Sequence, residues 1–448
     1  MADSFGSIKE NPVIRFFKDV VGPAAIMAAG MIGAGAVSTR LLAGTWFGFD
    51  LLWVAMYVIP MVIWTNDSAS RIGNITGRGM MEMIKTEIHP ALAWSIFLPT
   101  FLLNIIVIMG QMSVMVAGLY GMLGRTMPEG GAVTSGIVFT TIVLTILSML
   151  VVLFGGFKRL VKVMTALLLL ILVCFIVVAI KGLMEWQTWV GLAKGLVPNI
   201  PADVQVVGSN DVRSAFTQLM SIAGQALPAG VFLSFGYFTS NANFTAADVK
   251  ATFRKNVINF GFIWGLFSVV VVVAGATALH NFYTGADGGL HYSQIVKVFD
   301  AGKVIAPALP AILQTLSSPV FSLGLLAAGF TTLVSVAMLM VYFTLDIVGR
   351  NWKYTDENKA FRWMLGLWIA IPCLLSPFWQ LPALYKNILA MAGNLVLTPI
   401  ALLIILFFIN KSKYVGEFKA SFGRNLVLIL TLTFSLYVVI YQGIKMFG

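Results

Sequence analysis

The chain has 448 residues, of which 59% are hydrophobic and only 10% are charged, and its formal net charge is +11. A water-soluble domain of this size carries charge on roughly a quarter of its residues, so the composition excludes an ordinary soluble protein. The basic residues are spread over short loops rather than clustered, which argues against a nucleic-acid partner and leaves the lipid bilayer as the surroundings.

Apolar stretches of about 20 residues, the length that crosses a bilayer, recur along the chain. We predict eleven of them, called segments 1 to 11, at 22–45, 49–66, 93–123, 132–156, 162–184, 214–240, 256–281, 318–348, 362–381, 384–410 and 424–446. The stretches between them are too short for a soluble domain. The sequence therefore predicts an all-α polytopic membrane protein with one membrane domain over residues 1–448.

The 29 lysines and arginines test this count of segments. When successive loops are assigned alternately to the two sides of a membrane, twenty of these residues fall on one side and nine on the other. The nine include Arg40 and Lys386, which we assign to the outer ends of segments 1 and 10. Because basic residues accumulate on the cytoplasmic side, we predict a multi-pass protein of the cell membrane with a cytoplasmic N-terminus and an extracytoplasmic C-terminus.

Segments 1 and 6 are interrupted near their middles, first at Gly33-Ala34-Gly35-Ala36 and then at Leu227-Pro228-Ala229-Gly230. Broken backbone at membrane depth leaves N–H and C=O groups unpaired, and it is tolerated only where it lines a cavity. Paired breaks at corresponding positions predict the substrate site of a secondary transporter. We therefore expect an inverted repeat of segments 1–5 (22–184) and 6–10 (214–410), with segment 11 (424–446) appended.

The cavity predicted at these breaks is neutral. All 18 acidic residues and all three histidines can be placed in loops or near segment ends, which disfavours a dehydrated divalent metal ion and a proton relay. The N–H groups that open the outer half of segment 1 can hold an anionic group; close helix packing is the alternative explanation of the small residues. The predicted substrate-binding residues are Gly33, Ala34, Gly35, Ala36, Gln225, Ala226, Leu227, Ala229, Phe232 and Asn394.

Two further sets of polar residues lie at a plausible depth. Asn104 and Gln111 in segment 3 are neutral hydrogen-bonding groups. Thr331, Thr332 and Ser335 in segment 8 suggest a sodium site together with unwound carbonyls of segment 1. The alternative is that each hydroxyl bonds a carbonyl of its own helix four residues back. We predict no metal site, no cofactor other than Na⁺ as a hypothetical coupling ion, and no catalytic residues, so the chain is not expected to be an enzyme.

Several stretches resemble the natural-resistance-associated macrophage protein (Nramp) family. They are V-G-P-A-A-I-M-A-A-G in segment 1, F-G-F-D-L-L-W-V at segment 2, S-R-I-G-N-I-T-G-R-G from Ser70, F-K-R-L-V-K-V-M-T entering segment 5, G-L-V-P-N-I-P from Gly195, and the L-P at Leu227. The resemblance covers nearly the whole chain. It implies a leucine-transporter-like fold, a 5+5 inverted repeat of eleven helices with discontinuous helices 1 and 6, and alternating access.

The resemblance also implies a divalent transition metal as substrate, often moved with protons. The family's ligands lie in an Asp-Pro-Gly-Asn of helix 1 and a Met-Pro-His of helix 6, and here only Gly35 and Pro228 match them. The acidic pair of helix 3, which is usually tied to protons, falls at Ile108 and Gln111. We therefore interpret the chain as a divergent Nramp member without the family's metal-binding and proton-coupling residues.

The main hypothesis is a secondary transporter of a small organic solute, an amino acid or a carboxylate. In support, Gly33-Ala34-Gly35 is similar to the Gly-Ser/Ala-Gly turn of amino-acid transporters with this fold, where backbone amides hold the substrate carboxylate. One alternative is a partly hydrated manganese or magnesium ion, held by carbonyls and by Gln225, Asn394 and Met391. Another is a non-transporting membrane receptor. The oligomeric state is not predicted.

Overall fold

The computed structural model describes residues 23–125, 127, 132–154, 173, 175–207, 210, 212–280, 301–302, 306, 311–355 and 357–447. Within these ranges the chain is helical apart from loops and one antiparallel two-stranded sheet, in which β1 (Val204–Gln205) pairs with β2 (Val212–Arg213). Eight helices of this described part are long and apolar enough to cross a membrane, and a bent pair makes a ninth span.

The helices are numbered here along the chain. They are α1 (Pro23–Met31), α2 (Ala34–Phe47), α3 (Leu52–Thr76), α4 (Met80–Glu87), α5 (Pro90–Met122), α6 (Ser135–Phe154), α7 (Trp186–Gly195), α8 (Ala215–Ala226), α9 (Ala229–Asn241), α10 (Val249–Asn256), α11 (Gly265–Ala278), α12 (Ser317–Ile347), α13 (Lys359–Leu375), α14 (Ala383–Asn394), α15 (Thr398–Ile409), α16 (Ser412–Val415) and α17 (Phe422–Phe447). A π-helix joins α10 to α11 (Val257–Trp264), and 3₁₀ turns occur at Ala246–Asp248, Ala311–Leu316, Ser376–Phe378, Leu395–Leu397 and Gly416–Phe418.

Ten of the eleven predicted segments coincide with these helices. Segment 1 is α1 with α2, segment 6 is α8 with α9, and segment 10 is α14 with α15. Segment 5 (162–184) falls mostly outside the described residues, although 175–182 are helical. The all-α polytopic architecture is confirmed, whereas the division into repeats at 22–184 and 214–410 stays a prediction.

The end predicted for segment 2 at residue 66 is wrong, because α3 continues to Thr76 with Asp67 inside it. The Asp67 side chain is 0% exposed. Its Oδ2 accepts from Arg71 Nε at 2.8 Å and from Arg424 Nη1 at 2.6 Å, and the Arg424 guanidinium lies 4.8 Å from the Trp64 ring. A buried carboxylate is tolerated when it is paired in this way, so the helix passes the charge and α17 is tied to α3.

Two close approaches between helix backbones shape the bundle. A Cβ atom added at Gly73 of α3 would lie 2.4 Å from Gly236 Cα of α9, and one added at Gly44 of α2 would lie 2.2 Å from Val272 O of α11. Only glycine permits contacts of this kind, which are typical of helices that pack inside membranes. The backbones of α3 and α9 are also joined by a hydrogen bond from Ser240 Oγ to Gly73 O at 3.2 Å.

Candidate functional site

The first broken helix is divided at Ile32 and Gly33, where the axes of α1 and α2 differ by 46°. Gly33 is required here because a Cβ atom on it would lie 1.3 Å from Thr332 Oγ1 of α12. The helix restarts when Ala36 N donates to Gly33 O at 2.9 Å. The predicted break at Gly33-Ala34-Gly35-Ala36 is therefore real, although it lies earlier than expected and Ala34 already belongs to α2.

The second broken helix is divided at Leu227 and Pro228, between α8 and α9. Proline has no N–H and cannot continue the hydrogen-bond ladder of α8. The carbonyl of Leu227 is satisfied from another helix, because Thr398 Oγ1 at the start of α15 donates to it. The break therefore lies where the sequence predicted it.

The two breaks face one cavity. About 40 Å³ of it is open to the centre of a water molecule, which is room for about three waters at 10–15 Å³ each. It is lined by Gly30, Met31, Gly35, Ala36, Asn104, Val107, Gln225, Pro228, Gly230, Val231, Thr332, Val336, Leu339, Met391 and Asn394. A cavity of this size suits a small ion with some of its water, or a very small organic molecule.

The structure brings together some of the predicted site residues and not others. Those that line the cavity are Gly35, Ala36, Asn104, Gln225, Thr332 and Asn394. The lining does not include Gly33, Ala34, Ala226, Leu227, Ala229, Phe232, Gln111, Thr331 or Ser335. Gln111 is engaged elsewhere, since its Nε2 donates to Asn387 Oδ1 at 2.6 Å, and Phe232 is a fully buried packing residue of α9.

The carbonyl ends of the broken helices already have hydrogen-bond donors. At the end of α1, Ala29 O accepts from Thr331 Oγ1, Gly30 O accepts from Thr332 Oγ1, and Met31 O accepts from Gln225 Nε2. The last carbonyls of a helix have no partner within it and need donors of this kind. The carbonyl oxygens on which a bound cation would depend are therefore occupied.

The hydroxyl groups proposed for sodium divide between the two explanations given above. Ser335 Oγ donates at 2.9 Å to Thr331 O of its own helix, four residues back. Thr331 and Thr332 instead reach across to the end of α1. The two threonines thus lie where a sodium site would need them, but their hydroxyl hydrogens point at the carbonyls. Sodium coupling stays a prediction.

The N–H ends of the same broken helices are open. The capping residues Gly33 and Pro228 provide no side-chain hydrogen bond to α2 or α9. Among the described residues, no hydrogen bond is made by the N–H groups of Gly35 and Gly230, which both line the cavity. The first N–H groups of a helix carry partial positive charge, so the backbone presents positive rather than negative ends to the cavity.

Arg40 is the functional residue that the sequence analysis missed most clearly. We assigned it to the outer end of segment 1, but its side chain is 0% exposed. Nη1 donates to Gln225 Oε1 at 2.5 Å and to Thr39 Oγ1 at 3.4 Å, and the guanidinium lies 5.0 Å from the Trp264 ring. Nε and Nη2 have no partner in the part of the chain that the structure describes. The expectation of a neutral site is therefore wrong on its basic side.

Lys386 was misplaced in the same way. Its side chain is only 4% exposed. Nζ donates to Ser113 Oγ of α5 at 2.9 Å and to Ser376 O at 3.2 Å, and it lies 5.7 Å from the Trp379 ring. Its position inside the predicted segment 10 was the available signal, because charged residues within a span usually face the protein interior.

The donor set around the cavity is weak for a bare metal ion. Across the described ranges, no three or more His, Cys, Asp and Glu side chains come together in a way that could hold a metal. The candidate ligands that remain are the amide oxygens of Asn104 and Asn394 and the sulfur of Met391, all on the cavity wall. Amide and thioether groups carry no charge to replace the lost water of a divalent ion.

The fold and the paired breaks together define a membrane transporter with a leucine-transporter-like architecture. The chain belongs to the Nramp family: the family model described as natural resistance-associated macrophage protein-like matches residues 24–445. Both the resemblance stated from the sequence and the fold it implies are confirmed.

Known relatives are distant but cover most of the chain. The divalent metal cation transporter MntH of Yersinia pestis (strain Pestoides F) is 23% identical over 328 residues, which is 72% of each chain. MntH of Aeromonas hydrophila is 27% identical over 124 residues, which is 28% of this chain and 30% of that one. These relatives are named as metal transporters, so the comparisons support the metal-ion alternative better than the organic solute that we favoured from the sequence.

Solved structures show the same fold. The Eremococcus coleocola manganese transporter in complex with an aromatic bis-isothiourea substituted compound has a TM-score of 0.69 and 16% identity, covering 99% of this chain and 90% of that one. MhsT in complex with L-phenylalanine has a TM-score of 0.67 and 15% identity, covering 95% and 98%. At these identities the likeness extends to the fold alone.

Proposed function

We propose that the substrate of this Nramp-family transporter binds in the cavity between the two broken helices and crosses the membrane by alternating access. The observation that carries the proposal is that both breaks, at Ile32-Gly33 and Leu227-Pro228, contribute residues to one enclosed space. Binding at the interface of discontinuous helices is typical of secondary transporters. The charge pattern of the sequence orients the chain with its N-terminus in the cytoplasm.

The first candidate substrate is a divalent metal ion that keeps part of its water. The family and the named relatives support this class. In this chain the ion would meet Asn104, Asn394 and Met391, and the water molecules around it would bridge to these groups. Because no carboxylate lines the cavity, we expect weak binding, in the range that waters and neutral ligands provide.

The second candidate is the small organic solute predicted from the sequence. It is favoured by the carbonyl ends of the broken helices, which already accept hydrogen bonds from Thr331, Thr332, Gln225 and Thr398. A cation would have to displace these donors, whereas a neutral or anionic solute would not. Sodium coupling belongs to this candidate as a further hypothesis.

Uptake into proteoliposomes tests both candidates. We expect radiolabelled manganese to accumulate and its uptake to fall when Asn394→Ala removes a ligand. Asn410→Ala is the matched control, because Asn410 pairs with Asn425 away from the cavity. Accumulation of an amino acid or carboxylate without manganese would favour the second candidate, with a sodium gradient included or omitted to test coupling. If no solute accumulates, the receptor alternative replaces both.

A further inference from the structure

We propose that the cavity contains a binding site for a small carboxylate, formed by the N–H groups of Gly35 and Gly230 and charged by Arg40 through Gln225. The inference rests on the proposed function in one respect, that this cavity is the transport site. It goes beyond that function because it names an anionic ligand, whichever substrate class is carried.

The backbone around the cavity is electrically asymmetric. The carbonyl ends of α1 and α8 are covered by side-chain donors, as described above, and the N–H ends of α2 and α9 are not. Each helix start is equivalent to roughly half a positive charge. With the negative ends covered and the positive ends open, the peptide dipoles favour an anion in this space and oppose a cation.

Arg40 adds a full charge from a second, independent position. Its guanidinium is completely buried, and Nε and Nη2 have no partner in the described ranges. A buried cation of this kind requires an anion or a polar ligand nearby. It points toward the cavity, since Nη1 donates to Gln225 and Gln225 lines the wall. The bond polarises the Gln225 amide, which carries the positive field to the cavity.

The size of the cavity limits the ligand. Room for about three waters at 10–15 Å³ each admits an anion of two or three carbons, such as acetate, lactate or the zwitterion glycine. The carboxylate can arrive as a free solute, or as the counter-ion of a divalent metal ion that would otherwise face Arg40 without negative charge. These two sources share one chemistry and differ only in whether the metal is needed.

The test is a thermal-shift titration of the purified full-length protein with potassium acetate, lactate and glycine at constant ionic strength, with and without manganese chloride. We expect the carboxylates to raise the melting temperature more than chloride does. In Arg40→Gln the concentration needed should rise about tenfold or more, the value of a lost charge-assisted hydrogen bond. Arg213→Gln is the matched control, because Arg213 is a buried arginine that stacks on Trp46 and Tyr385.

Gln225→Glu provides a second test if Arg40→Gln does not fold. A glutamate at this position would pair with Arg40 and cancel its charge without leaving the guanidinium alone, so the carboxylate shift should disappear. No carboxylate-specific shift in the unmodified protein, or an unchanged shift in either variant, overturns the proposal. A shift that needs manganese identifies the counter-ion, and one that does not identifies a free solute.

The same preparations separate this inference from the proposed function. Manganese uptake without a carboxylate shift contradicts the anion site and leaves metal transport standing. A carboxylate shift without manganese uptake contradicts metal transport and leaves the anion site standing.

Discussion

Arg40 Nη1 lies 2.5 Å from Gln225 Oε1, and this contact joins the two broken helices beside the cavity. The other end of the same amide, Gln225 Nε2, donates to Met31 O. One side chain of α8 thereby holds both halves of the first broken helix, one through its last carbonyl and the other through a buried cation.

We therefore predict that Gln225→Ala destabilises the fold as well as the site. The change leaves a buried charge and a buried carbonyl without a partner, which should lower the free energy of unfolding by about 2–3 kcal/mol. Thermal denaturation in detergent measures the effect. Gln218→Ala is the control: Gln218 Nε2 donates to Thr39 O, and only a neutral group loses its partner there. An equal loss in both variants would contradict the role given to Arg40.

Asp67→Asn should be among the most destabilising single changes outside the cavity. The carboxylate neutralises Arg71 and the almost completely buried Arg424, and removing one partner of a buried pair costs about 3–5 kcal/mol. Asp203→Asn is the control, since the Asp203–Lys445 pair is 35% and 47% exposed at 3.4 Å; exposed pairs contribute about 0–1 kcal/mol. Melting temperatures that fall equally in the two variants would show that Asp67 is not a structural counter-ion.

Gly33→Ala should disrupt the first break. The new Cβ atom would lie 1.3 Å from Thr332 Oγ1 and 2.5 Å from Thr332 Cβ, and overpacking of this kind typically costs about 1–3 kcal/mol. Combining it with Thr332→Gly removes both atoms and should restore part of the stability, although Gly30 O then lacks its donor. Gly423→Ala, where nothing lies within 4 Å, should be neutral. A Gly33→Ala protein that melts and transports normally would contradict the packing of α1 and α2 against α12.

Acid dependence can be tested at a charge cluster in the loops that follow α3 and α15. Arg78, Lys413 and Tyr414 lower the pKa of Glu87 from 4.5 to about 2. Because the pKa is lower in the folded protein, the Glu87 contribution is complete above pH 4.5 and is lost as the pH falls toward 2. Glu87→Gln should lower the melting temperature at pH 7 and flatten its decline between pH 4.5 and 2. Glu417→Gln, an exposed control, should leave the curve unchanged.

The spans and breaks were predictable from the sequence because their signals are local. Apolar length defines a span, and Gly33 with Pro228 marks the positions where a helix cannot continue. The irregular turns at Leu395–Leu397 and Val257–Trp264 were not predicted. They lie within continuous apolar runs, which hydropathy alone cannot distinguish from ordinary helix.

The charged residues could not be placed because their surroundings come from distant parts of the chain. Asp67 stays inside α3 only because Arg424 reaches it from the last helix. Arg40 is buried because Gln225 and Trp264 surround it, and Lys386 because Ser113 and Ser376 accept its hydrogens. Counting basic residues by loop located the sides of the membrane but could not see these tertiary partners.

The direct contact of Gly73 with Gly236 couples parts of the molecule that lie far apart along the chain. With no side chain between them, α9 cannot rotate away from the cavity without carrying α3, and Asp67 of α3 holds α17. Spin labels on α3, α9 and α17 should therefore keep constant separations throughout a transport cycle. A label on α1, which is joined to α12 by two threonine hydroxyls and to α8 by one amide, is free to report the opening of the pathway.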